Sequence, residues 1–200
     1  MQYFCDLFHV MHILLIDNYD SFTYNLVQLL RESGVDHYLD IVPNDCLLNE
    51  LPQHIDKILI SPGPGIPEES GNLMQLIAQF SAQKPMLGIC LGHQALALHF
   101  GATMHQLPHS FHGADDRLIQ TKFAANIFKG IPTEFIAGRY HSWIVRHDSL
   151  PETLLPTAFD AAGNLMAFRH KFLPIDALQF HPESYITDFG LRMMTNWLNY

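Results

Sequence analysis

A cysteine, a histidine and a glutamate stand in contexts that suit acyl-transfer chemistry. Cys90 lies in Gly88-Ile89-Cys90-Leu91-Gly92-His93-Gln94. Small residues two positions on either side give the G-x-nucleophile-x-G form of a nucleophile elbow, in which glycines let the chain reverse tightly and push the nucleophile outward. The apolar run Pro85-Met86-Leu87 precedes it and Ala95-Leu96-Ala97-Leu98 follows, so a strand is expected to turn directly into a helix at the sulfur. Unpaired N–H groups and the positive dipole end of that helix favour thiolate. His181-Pro182-Glu183-Ser184 closes an expected strand, Ala177-Leu178-Gln179-Phe180. In an extended chain, alternation puts His181 and Glu183 on one side, where the carboxylate can hold the imidazole in one tautomer. Nucleophile, base and orienting acid are then all available. Each has an ordinary alternative when taken singly: most free cysteines are small buried hydrophobes, and a His-x-Glu tripeptide is common on surfaces.

The elements around these residues alternate. His12-Ile13-Leu14-Leu15-Ile16 is the strongest strand signal, and Asp20 or Ser21 can cap a helix carrying Phe22, Leu26, Leu29 and Leu30 on one face, ending before Gly34. A weaker strand from Tyr38 to Val42 follows. Lys57-Ile58-Leu59-Ile60 then runs into the stiff loop Ser61-Pro62-Gly63-Pro64-Gly65-Ile66-Pro67, and the spacing predicts a helix from Glu68 to Phe80. This alternation predicts an α/β fold with a mostly parallel central sheet, helices on both faces and ligands beyond the strand C-terminal ends. After Gly101 the period changes. Arg117 to Lys122, Glu134 to Tyr140, Trp143 to Arg146, Thr157 to Ala161 and Leu165 to Arg169 read as short antiparallel strands, with Gly163-Asn164 as a hairpin turn. A closing helix shows Leu191, Met194 and Leu198 on one face.

Composition narrows the function classes. The chain has 200 residues, 48% hydrophobic and 16% charged, enough for one domain with a sizeable core. Met11 directly precedes the first strand, so residues 1–11 read as an N-terminal extension outside the native protein and residues 12–200 as the domain. No apolar run approaches the roughly 20 residues of a membrane span, and the first ten residues lack the pattern of a secretory signal. A cytoplasmic protein without membrane partners is expected. The formal net charge of −9, without a basic run, argues against nucleic acid. Three cysteines, Cys5, Cys46 and Cys90, suggest neither a disulfide framework nor a thiolate metal site. His105, His109 and His112 have helix-like spacing, but Pro108 falls among them and no metal site is assigned.

Three stretches together carry a specific resemblance. Gly88-Ile89-Cys90-Leu91-Gly92-His93-Gln94, Ser61-Pro62-Gly63-Pro64-Gly65 and Gln179-Phe180-His181-Pro182-Glu183-Ser184 resemble the signatures of class I, triad-type glutamine amidotransferases. Asp17-Asn18-Tyr19-Asp20-Ser21-Phe22-Thr23-Tyr24-Asn25, Arg139-Tyr140-His141-Ser142 and Met166-Ala167-Phe168-Arg169-His170 are further similar to the glutaminase subunits of anthranilate synthase and aminodeoxychorismate synthase. The resemblance spans about residues 12–199 and implies a flavodoxin-like fold, L-glutamine as substrate and no cofactor. It also implies a separate chorismate-binding synthase subunit that receives the ammonia in trans.

The resemblance implies roles residue by residue. Cys90 would attack the glutamine side-chain amide. His181 would take the thiol proton and give one to departing ammonia, and Glu183 would stabilise the imidazolium. The backbone N–H groups of Leu91 and Gly63 would form the oxyanion hole, where one lost donor typically costs about 3–4 kcal/mol of barrier. Pro64 and Gly65 would line the same pocket, Gln94 would hold the amino-acid end, and the backbone of Ser142 and Trp143 would complete the clamp. His93, His141 and His170 are assigned no chemistry, and Phe22 and Leu26 read as core. Two departures stand out: Trp143 replaces the family's usual leucine, and Ala114-Asp115-Asp116-Arg117 puts an acidic pair where a lysine and a serine are usual, expected near the partner surface. Two competing readings are a regulatory module that keeps the fold without turnover and a stand-alone cysteine hydrolase acting on peptides or glutamyl conjugates. The first would be expected to lose the nucleophile or the His-x-Glu pair; the second would not need the Asp17 to Asn25 signature.

Overall fold

Ile13-Leu14-Leu15-Ile16, Ile58-Leu59-Ile60, Met86-Leu87-Gly88-Ile89 and Ile175-Asp176-Ala177-Leu178 are buried without a break. Strands of this kind can present neither face to water, and they form the middle of a sheet covered on both sides. The computed structural model describes residues 10–124 and 126–200. Cys5 and residues 1–9 of the expected extension lie outside the described residues. The chain runs β1 (Met11–Asp17), α1 (Thr23–Glu32), β2 (His37–Pro43), β3 (Lys57–Ile60), α2 (Leu73–Phe80), β4 (Met86–Ile89) and α3 (Leu91–His99). It continues through β5 (Met104–Gln106), β6 (Ala114–Gln120), β7 (Glu134–Arg139), β8 (Trp143–Val145), β9 (Leu154–Asp160), β10 (Leu165–His170), β11 (Ile175–Leu178) and α4 (Gly190–Leu198).

Nine strands form one sheet in the order β2-β1-β3-β4-β11-β10-β9-β6-β7. The first five are parallel, and from β11 onward each pairing is antiparallel. A separate two-stranded antiparallel sheet joins β5 and β8. The short strands expected after Gly101 therefore divide: most extend the parallel sheet, and β8 pairs apart from it. Alternation along β1 divides the core. Ile13 and Leu15 pack with Leu26, Leu30, Met194 and Trp197 of α1 and α4, whereas Leu14 and Ile16 pack with Leu73, Ile77, Ala95 and Leu96 of α2 and α3.

Three expectations change. The helix anticipated from Glu68 is interrupted: Pro67–Glu69 form one 3₁₀ turn, Gly71 takes φ +55° and α2 starts only at Leu73. Gly71 also lies against Asn44, with no room for a side chain. In α4, Leu191 is exposed and the buried face is Met193, Met194, Trp197 and Leu198. Asp20 makes no helix cap of the usual kind. Its carboxylate accepts from the Phe22 N–H at 2.7 Å, forming a turn before the helix.

The two glycines flanking Cys90 have a packing reason, not a conformational one. Neither has positive φ, whereas Cys90 itself does. A Cβ on Gly88 would lie 2.5 Å from the backbone of Gly92, and one on Gly92 would lie 2.8 Å from the Ile60 carbonyl oxygen. Bare backbone is what lets β4, α3 and β3 meet behind Cys90. Gly92→Ala is therefore expected to lower unfolding stability by about 2 kcal/mol or more through overpacking, measured by chemical denaturation, while Gly163→Ala in the open hairpin turn tests only the cost of φ +84°. Equal stability of Gly92→Ala and the parent chain would contradict the packing account.

Candidate active site

Parallel strands deliver their C-terminal ends to one edge, and there the loops after β1, β3, β4 and β11 meet. Cys90 occupies the step from β4 to α3 with φ +51° and ψ −99°, a sparsely populated region that a side chain adopts only when its surroundings impose it. The Cys90 N–H donates to the Leu178 carbonyl at 2.7 Å, and the Cys90 carbonyl accepts from the Gln94 N–H at 3.1 Å. The elbow is thus tied to β11 on one side and to the first turn of α3 on the other.

His181 and Glu183 follow β11, but in a turn closed by the Ser184 N–H donating to the His181 carbonyl at 3.2 Å instead of the extended chain expected, and their pairing is direct: His181 Nδ1 and Glu183 Oε1 are 2.6 Å apart, with both side chains buried. This bond leaves Nε2, which makes no aligned hydrogen bond among the described residues, beside the Cys90 sulfur. Burial works against charge on His181, yet Glu183 and then the Cys90 sulfur outweigh it and lift the imidazole well above its ordinary 6.5. Phe22 and Tyr140 cover the ring, with centroids 5.5 and 4.9 Å away. Phe22, expected in the core, is half-buried and acts as a wall of the site. The Asp20 turn that fixes its position had no such signal in the sequence.

Gly63, Pro64, Gly65, Cys90, Gln94, Ser142 and Trp143 line one cavity of about 150 Å³, joined by Tyr140 and His141. Leu91 does not line it. Its backbone opens α3, and its side chain lies so close to Gly63 that a Cβ there would approach within 2.6 Å. Asn18 holds the Gly63 loop from β1: its N–H donates to Ser61 Oγ at 2.9 Å and its side-chain amide to the Ser61 carbonyl at 2.8 Å. Asn44 donates back to Asn18 at 3.0 Å. Asp17 accepts from the Tyr19 N–H and the Thr23 hydroxyl at 2.9 and 2.7 Å. The Asp17 to Asn25 stretch is thus a scaffold for the site. A depression of about 440 Å³ lined by Arg169, Lys171 and Tyr200 holds none of these residues. Among the described residues, no three His, Cys, Asp or Glu side chains gather as a metal site.

The remaining histidines divide by environment. His93 is fully buried against Phe168, and His141 lies between Arg139 and the Trp143 carbonyl. Burial first, with His141 beside His93 and Arg139 beside His141, pushes both down to about 3, so both are neutral. His170 Nδ1 accepts from the N–H groups of Phe172 and Leu173 and closes a turn. The acidic pair also separates. Asp115 is exposed, but strand alternation turns Asp116 inward, where it pairs with buried Arg139 alongside Asp160. Only Asp115 remains for the surface role expected of both.

Family comparison agrees with this geometry. The model of the glutamine amidotransferase class-I family matches residues 14–199. The chain belongs to that family. Anthranilate synthase component 2 of Azospirillum brasilense is 43% identical over 190 residues, covering 94% of this chain and 95% of that protein. Aminodeoxychorismate/anthranilate synthase component 2 of Bacillus subtilis is 41% identical over 188 residues, covering 93% and 95%. Among solved structures, a glutamine amidotransferase from Thermotoga maritima superposes with a TM-score of 0.69 at 19% identity, covering 96% of this chain and 82% of that one, a likeness of fold.

The charge on His181 gives this amidotransferase a pH signature. A raised folded-state value contributes stability that is complete below the unfolded value, near 6.5, and is lost as pH rises through the folded value. In histidine-labelled protein, NMR titration should find His181 still protonated at pH 7 and Glu183→Gln should make it neutral there. Protonation at pH 7 in both would remove Glu183 from this role.

Proposed function

We propose that this chain hydrolyses L-glutamine to glutamate and ammonia and passes the ammonia to a separate synthase subunit that aminates chorismate. The observation that carries the hydrolytic part is the Cys90 elbow, set beside the His181–Glu183 pair and opening on the cavity of Gly63, Gly65 and Gln94. The Cys90 thiol proton passes to His181, and the resulting Cys90 thiolate attacks the side-chain amide carbon. The tetrahedral oxyanion is received by the N–H groups of Leu91 and Gly63. Collapse expels ammonia, protonated from His181, and leaves a glutamyl thioester that water hydrolyses with His181 as base. Gln94, with the backbone of Ser142 and Trp143, holds the amino-acid end of the substrate, and Pro64 and Gly65 shape its entrance.

The acceptor is supported by the relatives, named as components of anthranilate and aminodeoxychorismate synthases. A docking face is supported by the exposed aromatics beside the catalytic edge: Tyr19 is 63% exposed, Tyr24 69% and Tyr185 95%. Tyrosines of this kind suit an interface that is dry at its centre. Among the described residues no helix is long and apolar enough to cross a membrane.

Mixed with a chorismate-binding synthase subunit, glutamine and chorismate, the chain should yield an aminated chorismate product. Alone it should hydrolyse glutamine weakly, because the partner completes the site. Cys90→Ser should abolish synthesis from glutamine and leave synthesis from ammonium salts. Loss of both activities, or full glutaminase activity without the partner, would contradict the proposal; turnover of a peptide instead of glutamine would favour a stand-alone hydrolase.

A further inference from the structure

We propose that Gln179 is a further catalytic residue of this site, the neutral hydrogen-bond donor that holds the Cys90 sulfur as thiolate. The inference rests on Cys90 as the nucleophile. Gln179 is fully buried, and its Nε2 lies 3.7 Å from Cys90 Sγ. Which end of its amide faces the sulfur follows from partners that can act in only one sense. The Trp143 carbonyl can only accept, so Gln94 must turn its Nε2 to it, at 2.9 Å. The same Nε2 lies 3.2 Å from Gln179 Oε1. Gln179 therefore turns its oxygen to Gln94 and, with buried His93 as a further neighbour of its amide, its Nε2 to the sulfur.

The other end of the chain of bonds is equally fixed. Arg139 has only donors, so its Nε, 3.2 Å from His141 Nε2, makes that nitrogen an acceptor. His141 Nδ1 then carries the proton and donates to the Trp143 carbonyl at 3.0 Å. Arg139 is itself buried and pinned by Asp160 at 2.8 Å and by Asp116. Arg139, a permanent cation, thus sets the direction of the His141 bonds, and the Trp143 carbonyl, which can only accept, sets that of Gln94 and through it Gln179. Arg139 and His141 are positioning residues, and only Gln179 touches a reacting atom.

The chemistry is a proton transfer with no other reactant. The Cys90 S–H bond breaks, an N–H bond forms at His181 Nε2, and the electron pair left on sulfur accepts from Gln179, which keeps both of its protons. An N–H donor stabilises a thiolate more than a thiol, because hydrogen bonds to charged groups are the stronger ones.

The test is the pH dependence of Cys90 alkylation by iodoacetamide in the full chain, read peptide by peptide, with Cys46 as internal control. Gln179→Leu should raise the Cys90 midpoint by about one pH unit and slow alkylation at lower pH about tenfold, with Cys46 unchanged. A folded Gln179→Leu chain with the parental profile would overturn the proposal. If that variant fails to fold, the unaltered protein decides. The side-chain amide protons of Gln179 should titrate by NMR with the Cys90 midpoint and lose that step in Cys90→Ala, and amide protons indifferent to Cys90 would overturn the proposal. Alkylation reads the sulfur whatever the substrate, so failure here is distinguishable from failure of the glutaminase reading.

Discussion

The left-handed backbone of Cys90 is the constraint on which the site depends. A non-glycine residue in so sparsely populated a region costs roughly 1–3 kcal/mol, and the neighbouring elements hold it there from several sides. β11 takes its N–H, α3 takes its carbonyl, and Gly88 and Gly92 let the strand, the helix and Ile60 of β3 come together behind it. The Leu91 side chain in turn packs so closely on Gly63 that a Cβ there would lie 2.6 Å from it. Relaxing the elbow would move the Cys90 sulfur, the start of α3 and the pocket wall together.

Charge in the site is decided by partners more than by burial. His93, His141 and His181 are all buried. The first two have only neutral or cationic neighbours, Gln179 and Phe168 beside His93 and Arg139 and the Trp143 carbonyl beside His141, and burial keeps them neutral, with values near 3. His181 differs in having a carboxylate 2.6 Å away and the Cys90 sulfur beside it, which together reverse the effect of burial. A charged imidazole is the state that can later protonate departing ammonia. The neutral state of His141 is equally useful, because only then can its Nε2 accept from Arg139 while Nδ1 donates to the pocket wall.

What could be read from the sequence was what is local. The elbow, the Pro-Gly loop and the His-x-Glu pair each occupy a few consecutive residues at the end of an apolar run, so their placement follows once the parallel sheet is recognised. Contacts between distant segments were not readable. Gln179 stands next to a recognised motif, but its bond to Cys90 spans 89 positions and its bond with Gln94 spans 85. Phe22 keeps helical spacing with Leu26, which suggested core, yet the turn made by Asp20 places it over His181. Asp116 looked like surface charge because its partner Arg139 is on a neighbouring strand, and only the β6–β7 register brings them together. The helix start expected at Glu68 moved because Gly71 is pressed against Asn44, a contact between segments far apart in sequence.

The central claim is that Cys90 forms a covalent bond with the glutamine side chain. Rapid acid quenching of the partner-bound enzyme during turnover, followed by peptide mass spectrometry, reads that bond directly. The account predicts one glutamyl group on the peptide containing Cys90 and none on Cys46, disappearing when glutamine is exhausted. Steady glutamine hydrolysis with no acyl group on Cys90, or with the group on another residue, would contradict it.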